Sequence, residues 1–145
     1  MLTPEVLPKL QKAMADGDSA VRYWGTLGIL MRGQVAVAVT RAELRSALAD
    51  ASPEIRIVAA QALAQFGSES ERNEVLPLLA THADWSKQSV FNALAALNSI
   101  DALGRKAASL ATTIQSLPTN GPSPHVRYSS YVPRLVEDLQ LRIKQ

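Results

Sequence analysis

The chain has 145 residues, of which 47% are apolar, 19% charged and 5% aromatic, with no cysteine and a formal net charge of +2. That balance is too apolar for a disordered chain and suits one domain, or a piece of a larger one. Without cysteine there are no disulfides or thiolate metal sites, and no apolar run reaches the roughly 20 residues that span a bilayer, so no membrane partner is expected.

Alanine and leucine dominate, which favours helices packed closely through small side chains over a β-sandwich. Basic residues alternate with acids through the first two thirds, although from Arg105 onward six Lys and Arg face only Glu137 and Asp138. A nucleic-acid binder normally carries a dense basic stripe. The pattern here reads as a solvated helical surface.

Met1 to Glu5 leads straight into a helix signal in place of a signal peptide: Thr3 as a hydroxyl cap, Pro4 at the first helical position, Glu5 in the first turn. Val6, Leu7, Leu10, Ala13 and Met14 then form an apolar stripe. Asp16-Gly-Asp breaks it, and a second helix is expected from about Ser19 to Arg32, capped by Asp18 and stopped by Gly33. Val35, Val37 and Val39 alternate as a strand would. A lone strand has no partner, so the segment reads as a helical turn or an irregular linker.

The cycle then repeats. Thr40-Arg-Ala-Glu43 has the form of a capping box, Leu44, Ala47 and Leu48 carry the stripe, and Asp50 to Pro53 turns the chain. A helix over 53–66 follows, stopped by Gly67. Leu10, Ala13, Asp16, Arg22 and Gly33 map onto Leu44, Ala47, Asp50, Arg56 and Gly67 at a spacing of 34. In a looser third copy, Ser68 to Glu71 opens a helix with Val75, Leu78 and Leu79. After Asp84 comes a helix with Val90, Phe91, Leu94 and Leu97, in which Lys87 replaces the Arg at an offset of about 31. A fourth pair is expected over 105–117 and 131–143, with Leu135, Val136, Leu139 and Ile143 on one face. Three prolines and a glycine make 118–126 a mobile loop.

A helix pair recurring every 31 to 34 residues is the signature of an α-solenoid, because each pair has one apolar face and buries it only by stacking. The expected fold is therefore all-α: an α-α superhelix of about four helix pairs, a single repeat domain over 1–145 with repeats at 3–33, 40–67, 68–104 and 105–145. Asp16 and Asp50 sit where the chain reverses and accept from free backbone donors. Arg22 and Arg56 lie in the following first turn, within reach of the Asp or of turn carbonyls, and read as struts.

Asp, turn, Val or Ile, Arg and an alanine-rich helix resemble HEAT/armadillo-like repeats. "DSAVRYWGTLGILMRG", "SPEIRIVAAQALAQFG" and "YVPRLVEDL", in this order, resemble the HEAT-like region at the C-terminus of bacterial sulfatases of the arylsulfatase and heparan-type family. The resemblance covers most of the chain, and "VRYWG" with "YVPR" is its most specific part. It implies a non-catalytic module beside a sulfatase domain, periplasmic or extracellular, whose protein partner is that domain or another protein. The sulfatases' own chemistry needs a formylglycine from a C/S-x-P-x-R motif and a calcium held by Asp and Asn. Neither is here: Ser123-Pro-His-Val-Arg127 has its proline misplaced. The chain alone is expected to be no enzyme and to hold no cofactor. A free-standing HEAT-type scaffold and a nucleic-acid-binding HEAT-like protein stand as alternatives.

Tyr23 and Trp24 precede Gly25 and Gly28, so one face of that helix is aromatic and another nearly bare backbone. Trp24 either fills the first core layer or docks a partner on the uncovered end layer. Trp85, expected at the start of the third copy's second helix, either packs in the core or stacks on a ligand. His82 and His125 have no acid at ligand spacing, so no metal site is expected. Glu69, Glu71 and Glu74 suit a helix N-terminus better than acid–base chemistry. Arg127, Arg134, Arg142 and Lys144 read as solvated surface, with an anionic polysaccharide contact as the alternative.

Overall fold

The computed structural model describes residues 5–142. The cap expected at Thr3 and Pro4, the apolar Ile143 and the basic Lys144 lie outside the described residues. All regular structure among the described residues is helical, and no strand is present. The chain divides into two compact units, Met1–Val75 and Leu76–Gln145, with the division falling inside one helix.

In the first unit, α1 (Val6–Met14) and α2 (Ser19–Arg32) form a pair, α3 (Gln34–Val39) is a short helix, and α4 (Arg41–Ala47) and α5 (Pro53–Phe66) form a second pair. The Asp18 side chain accepts from the Ala20 amide at 2.8 Å and starts α2. Gly33, at φ 73°, ends it in the left-handed region that only glycine adopts freely. The chain re-enters a helix at once, so the alternating valines form α3, with Ala36 and Val37 buried and Val35 and Val39 exposed. α5 is the axis of this unit. Ile55, Ile57, Leu63 and its alanines are buried, and α2, α3 and α4 all pack against it.

The capping box expected at Thr40 and Glu43 does not form. Thr40 is still hydrogen-bonded to α3, its amide and its hydroxyl both donating to the Ala36 carbonyl. Its hydroxyl is therefore spent backwards, and Glu43 accepts from Gln11 Nε2 instead. The true box stands at the start of α6 (Glu69–Ala83): Ser68 Oγ accepts from the Glu71 amide and Glu71 Oε2 accepts from the Ser68 amide. Pro77 lies inside α6 without stopping it.

In the second unit, α7 (Val90–Leu103) packs against α9 (Tyr131–Arg142) through Val90, Ala93, Leu97 and Ile100 on one side and Val132, Val136 and Leu139 on the other. α7 begins later than expected, at Val90, because Ser89 caps it by accepting from the Asn92 amide. The helix expected over 105–117 is a 3-10 segment, Gly104–Leu110, followed by the one-turn α8 (Ala111–Gln115). The 118–126 loop is irregular, and a 3-10 turn, Val126–Tyr128, leads from it toward α9. Its middle is held: Gly121 lies against the Trp85 backbone and ring so closely that a side chain would not fit.

α1 approaches α2 through two glycines of unequal tolerance. A Cβ on Gly25 would lie 2.8 Å from the Met14 nitrogen and 2.9 Å from the Ala13 carbonyl carbon, both backbone. A Cβ on Gly28 would meet the Leu10 side chain, with Cδ2 at 2.6 Å and Cδ1 at 3.3 Å, which can rotate away. Gly25→Ala should therefore lower stability by about 1–3 kcal/mol. Gly28→Ala should be close to neutral, since the better helix propensity of alanine offsets the repacking. Urea unfolding of the two variants reads the difference, and equal losses would contradict this packing.

Candidate functional site

The recurring acid does the same local task in three places. Asp16 Oδ1 accepts from the Asp18 amide at 2.9 Å, Asp50 Oδ1 from the Ser52 amide at 2.9 Å, and Asp84 Oδ1 from the Ser86 amide at 3.1 Å. Each is an Asx turn at the reversal between helices. The three aspartates keep a spacing of 34 throughout, which the offset of 31 taken from Lys87 obscured. In the third copy Lys87 pairs with Asp84 at 3.0 Å within the same turn.

Arg22 joins two copies. Its Nε donates to Asp50 Oδ2 at 2.7 Å and its second terminal nitrogen to Asp50 Oδ1 at 3.0 Å, a two-point pairing of guanidinium with carboxylate. The remaining nitrogen donates to the Asp16 and Gly17 carbonyls, at 3.0 and 3.1 Å. One side chain thus closes its own turn and grips the next. Arg56 donates to the Asp50 carbonyl at 2.6 Å and to the Ala51 carbonyl at 3.3 Å. The Arg22 bonds hold the Asp50 carboxyl below the usual carboxylate range against the opposing effect of burial, and Asp50 in turn raises the Arg22 pKa.

The acidic helix start is also tied up. Glu71 is held below its ordinary pKa, first by the Ser68 amide and then by the Ser68 hydroxyl, with Arg41 and Arg45 adding their charge. Arg45 lies 3.1 Å from Glu74 and 3.6 Å from Glu71. Asp84 is lowered as well, through Ser86 and Lys87.

The three aromatics expected to dock or pack fall in different settings. Trp24 stands on α2 with 66% of its surface exposed, in edge-to-face contact with the half-buried Tyr23 at 5.5 Å between centroids. Met31, two turns further along α2, is 78% exposed, and Ala20 and Val21 are exposed on the same helix. Trp85 is 1% exposed, so its ring forms no surface. It sits in the turn before α7, not on a helix, and its Nε1 donates to the Pro122 carbonyl at 2.9 Å. A docking role for Trp85 gives way to core packing.

Two basic residues of the C-terminal third, Arg142 and Arg127, have partners of their own. Arg142 reaches Asp101 at 2.6 Å and also pairs with Asp138, and Arg127 lies 4.9 Å over the Tyr128 ring. A cleft of about 610 Å³ beside Asp101 and Arg142 is lined by Ile100, Arg105, Ala108 and Leu139. An aromatic group that sequence spacing did not disclose gathers Phe91, His125 and Tyr131 around Tyr128. No group of three His, Cys, Asp or Glu among the described residues could hold a metal ion. Compared with protein-family models, curated proteins and solved structures, the chain matches none.

Because Asp50, Glu71 and Asp84 are all lowered on folding, their contribution is complete above the ordinary carboxylate range, near pH 4, and is lost as pH falls through the lowered values. Unfolding midpoints should be flat from neutral pH to about pH 5 and drop below that. Asp50→Ala should cost about 1–3 kcal/mol at neutral pH, since it strips three hydrogen bonds, and should cost less in acid. A variant whose deficit is the same at both ends of a urea series over pH would contradict the assignment.

Proposed function

We propose that this chain is a non-catalytic HEAT-type interaction module, an α-α superhelix of about four helix pairs, serving as the C-terminal accessory region of a sulfatase-like hydrolase. The observation that carries the reading is the Arg22–Asp50 pair, in which the second helix of one copy grips the equivalent turn of the next, 34 residues along. A solenoid needs such fastenings between like positions, because each layer buries its apolar face only against its neighbour. α2 against α5 supplies that packing within the first unit.

The second observation is the outward side of α2. Trp24 and Met31 present exposed apolar surface on this helix. Exposed tryptophan and methionine on a rigid helix suit a protein partner. The second helices favour this over nucleic acid: α5 carries Arg56 as its one cation and α7 carries none, while Arg22, one of two on α2, is committed to Asp50 and Arg142, one of two on α9, to Asp101 and Asp138. No basic stripe runs along them.

The absence of a C/S-x-P-x-R sequence leads to a direct test. Purified chain, given an aryl sulfate and calcium, should release no sulfate above the uncatalysed rate. Turnover that co-purifies with the protein and disappears on substitution of any residue of this chain would overturn the reading.

A further inference from the structure

We propose that Asn120 is a site of spontaneous covalent modification: it cyclises onto Gly121 and opens to an isoaspartyl linkage that unseats Trp85. Asparagine amides are among the least durable groups in a protein. The chain has four, and three of them, Asn73, Asn92 and Asn98, lie in α6 and α7. Inside a helix the amide that follows an asparagine is already bonded to a carbonyl one turn back. The one after Asn92 donates to the Ser89 carbonyl at 3.0 Å. Asn120 stands outside any helix, is exposed, and precedes a glycine, whose nitrogen has no neighbouring side chain to block approach. Neither the Asn120 side chain nor the Gly121 amide is hydrogen-bonded among the described residues. The Asp16-Gly17 pair shows the contrast. Asp16 Oδ1 is held by the Asp18 amide, and Arg22 binds the Asp16 and Gly17 carbonyls, so that turn is closed against the same rearrangement.

The reaction needs only water. The Gly121 nitrogen attacks Asn120 Cγ, the bond from Cγ to the side-chain nitrogen breaks, and ammonia leaves with the proton lost by the Gly121 amide. Water then opens the cyclic imide at either carbonyl. Opening at Cγ leaves aspartate on an unchanged backbone. Opening at the main-chain carbonyl frees that carbon as a carboxylate and routes the chain through Cβ and Cγ, one carbon longer. Only this second product disturbs the fold, because the loop has no slack at Gly121. A Cβ there would already meet the Trp85 carbonyl oxygen and lie 2.7 Å from the ring atoms Cγ and Cδ1. The next residue, Pro122, supplies the carbonyl that accepts from Trp85 Nε1 at 2.9 Å. An extra carbon before Gly121 displaces both contacts and leaves the N–H of a buried indole without its partner.

Whole chain held in mildly alkaline buffer made with heavy-oxygen water should take up the label at Asn120, read by mass spectrometry of proteolytic fragments. Conversion there should run roughly tenfold or more faster than at Asn73, Asn92 or Asn98, whose helices must open first. The chain has two tryptophans, so in a Trp24→Phe background fluorescence reports Trp85 alone. The isoaspartyl fraction, separated by chromatography, should show red-shifted emission and become open to acrylamide quenching. Freshly prepared Asn120→Asp, which carries the new charge on an unlengthened chain, should keep Trp85 shielded. Conversion at Asn120 no faster than at the helical asparagines, an isoaspartyl fraction whose Trp85 stays shielded, or an Asn120→Asp chain that exposes Trp85 would each overturn the proposal.

Discussion

The two-point bond between Arg22 and Asp50 is the constraint from which the first unit is best understood. Hydrophobic contacts between α2 and α5 are non-directional and tolerate sliding. The guanidinium–carboxylate fork does not, because both of its short bonds form at only one relative placement of the two helices. With the Arg22 side chain 20% and the Asp50 side chain 12% exposed, the pair is shielded enough to resist screening yet still wet enough to limit its desolvation. Asp50 could not serve two partners unless its own turn were fixed, and its bond to the Ser52 amide fixes it. The Arg56 bonds to the Asp50 and Ala51 carbonyls brace the same turn from the other side.

Small residues complete what the fork begins. α5 buries Ala59, Ala60, Ala62 and Ala64, so its neighbours come close to its backbone and gain dispersion contacts along their length. α1 does the same against Gly25 of α2. Close approach of this kind leaves little room for adjustment, and it suits a chain with few aromatics. Among the described residues the one fully buried large aromatic ring, Trp85, is accommodated by the opposite device: a loop glycine, Gly121, has no side chain, so the indole can lie against its backbone.

How much of this was legible in the sequence depended on whether the deciding interaction was local. The Asx turns at Asp16 and Asp50 and the Asp18 cap involve groups two residues apart, and spacing alone revealed them. Thr40 misled because its hydroxyl can satisfy either the helix ahead or the helix behind, and only the direct junction of α3 with α4 decides between them. Trp85 was placed on a helix by analogy with the earlier copies. In the third copy three extra residues separate the aspartate turn from the cap at Ser89, and the ring is left in the turn. The Phe91 and Tyr128 contact joins residues far apart in the chain, and no periodicity reports it.

The same local bonds bear on what the charged groups are for. A carboxyl that gives up a proton to a leaving group near neutral pH must have its pKa raised by burial or by a like charge. Asp50, Glu71 and Asp84 are moved the other way, each by donors from its own turn, cap or neighbouring arginine. As bases they are equally committed: Asp50 accepts from Arg22 and Ser52, Glu71 from Ser68, and Asp84 from Ser86 with Lys87 beside it. The bonds these charges make hold turns and helix starts in place.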